Sequence, residues 1–67
     1  MAIIKIEIGM NRSKAEKQNL IYKVTEVAAE VLNEPKSNII TILTEVPDEN
    51  WGVAGITLEE QKENYKK

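Results

Sequence analysis

Two runs of mostly β-branched residues, "AIIKIEI" at 2–8 and "IITILTEV" at 39–46, constrain this chain more than anything else in it, because a protein of 67 residues has few ways to cover them. In the first run Ala2, Ile4, Ile6 and Ile8 share one face, while Ile3, Lys5 and Glu7 share the other. The isoleucine content and the period of two predict a strand that Gly9 ends. The second run is apolar on both faces for most of its length, as befits a central strand. Between them Leu20, Ile21, Val24, Val27, Ala28, Val31 and Leu32 recur with helical spacing, with Lys17, Lys23, Glu26 and Glu30 on the polar side. "SKAE" at 13–16 reads as a capping box: the serine hydroxyl accepts from a first-turn N–H, and the glutamate reaches back to the cap backbone. Asn33 suits a left-handed C-terminal residue, and Pro35 stops the helix. Strand, helix, strand is an α/β arrangement, a β-α-β unit with parallel strands and a right-handed crossover.

The remainder of the chain is arm and tail. Pro47 to Asn50 is a turn-rich break, and "WGVAGI" at 51–56 predicts a short hairpin arm whose glycines permit unusual backbone angles. Residues 57–67 form a polar tail, in which Thr57 and Glu60 either cap a short helix or fray. The whole, 1–67, reads as one domain. One helix covers only one face of a two-stranded sheet. The other face carries Ile3 and either Ile39 and Leu43 or Ile40 and Ile42. Leaving it open forfeits about 1.5–3 kcal/mol per large aliphatic side chain. Small domains compensate with disulfides, metals or association, and a chain without cysteine is left with association. A homo-oligomer is therefore expected, with the Trp51 arm a natural element to reach across to a second copy.

The chemical inventory is short. There is no cysteine and no histidine, which removes thiolate sites, the commonest metal ligand and the commonest general base, so no metal and no cofactor is expected. Acids and bases are interspersed around a net charge of -2, with no basic stripe for nucleic acid. No apolar run reaches membrane-spanning length, and the start lacks the form of a signal peptide, so a soluble cytoplasmic protein is expected. The carboxylates are scattered, as solvated surface acids are. Arg12, the only arginine, lies just before the helix cap. It is either half of a carboxylate site beside the helix N-terminus or an exposed surface residue. Trp51, the only tryptophan, is either an interface anchor or the apolar wall of a small pocket. The third candidate is the N-terminal amine. Its ordinary pKa is about 8, and burial lowers it toward that of a general base near neutrality.

The order of these parts resembles the 4-oxalocrotonate tautomerase family. The resemblance spans residues 2 to 56 and rests on "AIIKIEIG", "GMNRSKAEKQNLI", "PKSNIITILTEV" and "NWGVAG", in that order and spacing. It implies a β-α-β subunit with a terminal hairpin, assembled through dimers into hexamers. It also implies a base at the N-terminus, a proline exposed by removal of methionine, which moves a proton between the oxygen and carbon of an enol or dienol acid to give the keto isomer of a small 2-oxo acid. By the same resemblance the proline position falls on Ala2, the substrate-carboxylate arginine on Arg12, a second arginine on Ile40 and the aromatic wall on Trp51. Two of those four positions depart from the family pattern. Ala2 offers a primary amine only if Met1 is removed, and Ile40 offers no cation. The resemblance thus implies an isomerase impaired at its base or, alternatively, a non-catalytic subunit that is structural or binds a small carboxylate. A third reading, a β-α-β assembly module, has no small-molecule site.

Overall fold

The structure is a computed structural model that describes residues 1–65. Strand β1 (Ala2–Gly9) is followed by helix α1 (Lys14–Leu32) and strand β2 (Ile39–Val46). A hairpin of β3 (Gly52–Val53) and β4 (Ile56–Thr57) and a second helix, α2 (Leu58–Tyr65), complete the chain, and single 3-10 turns at 36–38 and 48–50 lead into β2 and the hairpin. β1 and β2 pair in parallel, with Ala2 opposite Ile39 and Gly9 opposite Val46. The β-α-β unit and the small antiparallel hairpin are those expected from the sequence.

Local chemistry sets the ends of α1. Ser13 is extended at φ -68°, its hydroxyl accepts from the Glu16 N–H at 3.0 Å, and its own N–H donates to the Glu16 carboxylate at 3.1 Å. Two otherwise orphaned donors are satisfied reciprocally. At the far end Asn33 turns left-handed at φ 54°, and its N–H and that of Glu34 return to the last turn. The tail resolves in favour of a helix: Thr57 and Glu60 form the same reciprocal box, and Lys62 reaches Asp48 at 2.7 Å. In the hairpin, Ala54 (φ 56°) and Gly55 (φ 83°) are both left-handed, as the central pair of a type I′ turn must be. A Cβ at Gly55 would meet nothing within 4 Å, so conformation and not space demands glycine there.

Alternation along both strands decides which face is covered. Ala2, Ile4, Ile6 and Ile8 of β1 and Ile39, Thr41 and Leu43 of β2 turn inward to α1, and Ile39, 8% exposed, is the one apolar residue among those described that is buried. The opposite face is bare: Ile3 is 60% exposed, and Ile40 and Ile42 are each 43% exposed. The helix stripe is only partly used. Leu20, Ile21, Val24 and Ala28 are half-buried against the sheet, whereas Val27, Val31 and Leu32, expected on the core stripe, are exposed. Two strands are too narrow to cover a stripe that wide. Lys17, expected on the polar side, is instead half-buried and bridges to Glu45 of β2 at 2.8 Å. Nearby, Thr25 and Thr41 share a 2.7 Å hydroxyl hydrogen bond between helix and strand.

The resulting subunit is flat and long, 50 × 25 × 14 Å, with a radius of gyration of 15.8 Å. A compact domain of this length has a radius of about 11 Å. Its accessible surface, 5433 Å², is about a quarter more than the roughly 4300 Å² of a compact monomer of its mass. Exposed large apolar residues lie on both the bare sheet face and the outer half of α1. This exposed surface is of the kind on which the expectation of association rests.

Candidate active site

The four candidate residues fall into two groups at opposite ends of the strand pair. Ala2 opens β1, and Ile40, opposite Ile3, stands one residue further along. The two share one end of the ribbon, Ala2 turned toward the helix side and Ile40 toward the bare face. In the chain as it stands Met1 precedes Ala2, so the Ala2 nitrogen is a peptide nitrogen. The terminal amine belongs to Met1, lies 3.7 Å from the Glu34 carboxylate and is exposed. The buried amine expected from the sequence is absent from the single subunit because nothing covers that end of the sheet. Glu34 is held below the usual carboxylate range, chiefly by the hydrogen bond from the Asn38 side chain at 2.9 Å and secondarily by the terminal amine.

Arg12 and Trp51 occupy the other end. A Cβ on Gly9 would lie 3.8 Å from the Trp51 ring, which places the tryptophan against the last residue of β1. Trp51, Glu7, Val46 and Asn50 surround a shallow pocket of about 290 Å³. The Trp51 carbonyl accepts from the Leu58 N–H at 2.6 Å, so the capped helix α2 fixes the turn that carries the ring. Arg12 follows the left-handed Asn11 (φ 77°) and lines a groove of about 310 Å³ with Ile8, Glu16, Lys17 and Leu20. This groove lies at the N-terminus of α1, where unpaired N–H groups and the helix dipole favour an anion. The guanidinium sits 3.4 Å from Glu16, both side chains largely in solvent. Glu16 is held below its ordinary value, first by the Ser13 backbone and side-chain hydrogen bonds and then by Arg12. The Ser13–Glu16 bonds, at 3.0 and 3.1 Å, are shorter than the 3.4 Å Arg12 contact, and the largely exposed guanidinium is open to an incoming carboxylate.

Eight residues of strand rise about 3.3 Å each, which sets the Ala2 end about 23 Å from the Gly9 end. No small acid spans that distance. One subunit thus sets Ala2 and Ile40 at one end of the ribbon and Arg12 and Trp51 at the other, the last two lining separate grooves. Lys17 is the residue that sequence reasoning missed. Its helical phase put it with the solvent-facing lysines, and only the tertiary pairing with Glu45 draws it into the Arg12 groove. No group of three acids that could hold a metal ion occurs among the described residues.

Comparison with known proteins decides the family. The tautomerase enzyme family model matches residues 3–62.

The chain belongs to the tautomerase family.

This tautomerase is 35% identical over 60 residues to the 2-hydroxymuconate tautomerase of Pseudomonas putida, covering 90% of this chain and 95% of that one. It is 38% identical over 56 residues to a probable tautomerase of Listeria monocytogenes, covering 84% and 92% respectively. Among solved structures it resembles TomN, a 4-oxalocrotonate tautomerase homologue of the tomaymycin biosynthetic pathway, at 30% identity and a TM-score of 0.87 over 91% of this chain and 94% of that one. It also resembles a heterohexamer 4-oxalocrotonate tautomerase from Chloroflexus aurantiacus, at 30% identity and a TM-score of 0.84 over 90% and 97%. The fold and the isomerase class follow from these likenesses. No helix among the described residues of the tautomerase is long and apolar enough to cross a membrane.

Proposed function

We propose that this tautomerase interconverts the enol or dienol and keto forms of a small 2-oxo acid, with activity reduced by Ala2 at the position of the family's proline. The supporting observation is one of placement: Arg12 and Trp51, to which family likeness gives substrate holding, lie at the Gly9 end of the ribbon, and Ala2 and Ile40, which depart from the family's reacting residues, lie at the other. A functional centre then forms where the Ala2 end of one copy meets the Arg12 and Trp51 end of another, within a homo-oligomer, a hexamer by family likeness.

In such a centre the Arg12 guanidinium and the start of α1 bind the substrate carboxylate, and the Trp51 ring excludes water from its carbon skeleton. The base is the primary amine of Ala2 once Met1 is removed. It takes the enol hydroxyl proton, the oxygen lone pair forms the carbonyl, and the carbon–carbon double bond accepts a proton back from the ammonium. No atom is gained or lost. A proton moves from oxygen to carbon through one amine. Ile40 supplies no charge to the developing oxyanion, which removes a contribution that positioned donors ordinarily make.

A second reading rests on the departures at Ala2 and Ile40 from the family's reacting residues: a non-catalytic subunit that binds a small carboxylate. Intact mass and turnover of a 2-hydroxydienoate or phenylenolpyruvate, measured on the same preparation, separate the two. Measurable ketonisation confined to the fraction lacking Met1 is the expected result. Equal turnover with Met1 fully retained would rule out amine-base catalysis at residue 2. Absence of turnover in chains lacking Met1, with the carboxylate still bound, would establish the non-catalytic reading.

A further inference from the structure

The outward face of the β1–β2 sheet is exposed along its length except at its last pair. Ile3, Lys5 and Glu7 of β1 and Ile40, Ile42 and Thr44 of β2 are exposed, whereas Gly9 and Val46, paired at the end of the register, are half-buried. The cover there is Trp51. A Cβ placed on Gly9 would point at its ring, 3.8 Å from Cζ3, and outside the neighbouring residues no other atom lies within 4 Å.

Conformation does not require glycine at this position. Among the described residues positive φ occurs at Asn11, Asn33, Ala54 and Gly55, not at Gly9, which keeps regular parallel pairing with Val46. A glycine in a strand forgoes the packing that valine or isoleucine brings, and it often marks a close approach. Here the approaching group is an indole. Strand side chains stand roughly perpendicular to the sheet, so atoms beyond Cβ at residue 9 would enter the space of the ring. The backbone that carries the ring is held on both sides. The Trp51 N–H donates to the Asp48 carbonyl at 3.3 Å, the Trp51 carbonyl accepts from Leu58 at 2.6 Å, and Lys62 of α2 holds the Asp48 carboxylate at 2.7 Å. A larger residue at 9 therefore turns the ring about its own side-chain torsions, into the pocket it shares with Glu7, Val46 and Asn50.

We propose that Gly9 is a specificity-determining residue: by leaving the space in which Trp51 lies against the sheet, it keeps that pocket open to an aryl-sized substrate end. Gly9 acts through Trp51 and is a positioning residue. The proposal rests on the reading that Trp51 walls the carbon skeleton of the substrate, and it adds the chemical class. Trp51 and Val46 offer apolar walls, while Glu7, the charged group that lines the pocket, disfavours a second carboxylate there. The acid selected is one with an aryl substituent, in preference to one that ends in a methyl group or a carboxylate.

Trp51 is the only tryptophan of the chain, so its fluorescence reports the ring directly. Gly9→Ala adds a Cβ at ordinary contact distance and is expected to leave the emission maximum and acrylamide quenching unchanged. Gly9→Val and Gly9→Leu are expected to move the maximum to longer wavelength and to raise quenching at least about twofold, as overpacking displaces the ring. Valine is the better strand residue, so a loss caused by Gly9→Val is not a loss of strand, and that variant serves if Gly9→Leu fails to fold. Dissociation constants from calorimetry read the specificity. The unmodified chain is expected to bind phenylpyruvate at least about tenfold more tightly than pyruvate or oxaloacetate, Gly9→Ala to keep that preference, and the two larger variants to reduce it to within about threefold of parity. In the Trp51→Ala background the residue at 9 is expected to leave the preference unchanged, because no ring remains to be displaced. Unmoved emission in both larger variants, a preference that survives while the ring moves, tighter binding of oxaloacetate than of phenylpyruvate, or an effect of Gly9→Leu that persists without Trp51 would each overturn the proposal. These readouts need no turnover. Absence of ketonisation even with Ala2→Pro, beside the expected binding preferences, would overturn the isomerase reading and leave the role of Gly9 supported.

Discussion

The two ends of the β1–β2 ribbon differ in what they keep. At the Gly9 end the arginine, the capped helix start and the aromatic ring are all in place, each held by identifiable contacts: Ser13 with Glu16, and the Trp51 carbonyl with Leu58. At the Ala2 end the chain has alanine and isoleucine where a reacting base and a second cation belong by family likeness, and Met1 and Ile3 on either side of Ala2 are exposed. On the proposed function, binding and reaction are separated along one pair of strands. The difference teaches that the residues proposed to hold substrate sit in structural surroundings: the cap at Ser13 fixes the start of α1, and the turn at Trp51 ties the arm to α2.

Restoring the poorer end is the sharpest way to change the contrast. Ala2→Pro, with Met1 removed, is expected to raise kcat by about 10²–10⁴-fold, the range that a well-matched general base contributes. Steady-state ketonisation of a phenylenolpyruvate checks it, and an unchanged kcat would show that the Ala2 end is not where the proton moves. Damaging the richer end is expected to act on binding instead. Arg12→Gln in the Ala2→Pro background should lower kcat/KM by roughly 10- to 100-fold, since a hydrogen bond to a charged group is worth about 1.5–3 kcal/mol. A loss carried by kcat alone, with KM unmoved, would contradict the assignment of Arg12 as the carboxylate holder.

Smaller effects probe how the ends are built. Ala54 adopts φ 56° in the hairpin turn, where an L-residue with a Cβ is strained. Ala54→Asn should stabilise the arm by roughly 1 kcal/mol, because asparagine tolerates the left-handed region better than alanine does. The thermal midpoint and amide exchange of 52–57 report it. The smallest effect is one of pH. Glu16 binds protons more weakly in the fold than its ordinary value of 4.5, owing mainly to Ser13. Its contribution is therefore fully present above that value and is lost as pH falls through the depressed one. Helicity followed by circular dichroism should fall more steeply with acid in the unmodified chain than in Glu16→Gln.

Much of this could be read from the residues alone. The strands, the capping box at 13–16, the left-handed Asn33 and the hairpin at 51–56 are local features, set by side-chain periodicity and by hydrogen bonds three or four residues long. What the sequence did not disclose is tertiary. The Lys17 bridge to Glu45 joins residues 28 apart. The exposure of Val31, 74%, reflects a sheet only two strands wide, which no helical pattern encodes. The alternative between Ile39 with Leu43 and Ile40 with Ile42 as the bare set needed the strand register to settle it. The site residues were legible as positions, and the eight-residue strand between residues 2 and 12 already puts those two at opposite ends of the ribbon, whereas the ends at which Ile40 and Trp51 lie needed the tertiary structure.

The central claim is that two copies complete one centre, and complementation tests it most directly. The chain Ala2→Pro/Arg12→Ala carries a competent base and no carboxylate holder, while the unmodified chain carries Arg12 and no proline. Each alone should turn over an enol acid slowly. After mixing, dissociation and reassembly, the account predicts turnover well above the sum of the two, at a level set by the fraction of mixed oligomers. Turnover equal to that sum, with mixed oligomers confirmed by native mass spectrometry, would show that base and arginine serve the same centre only within one chain and would contradict it.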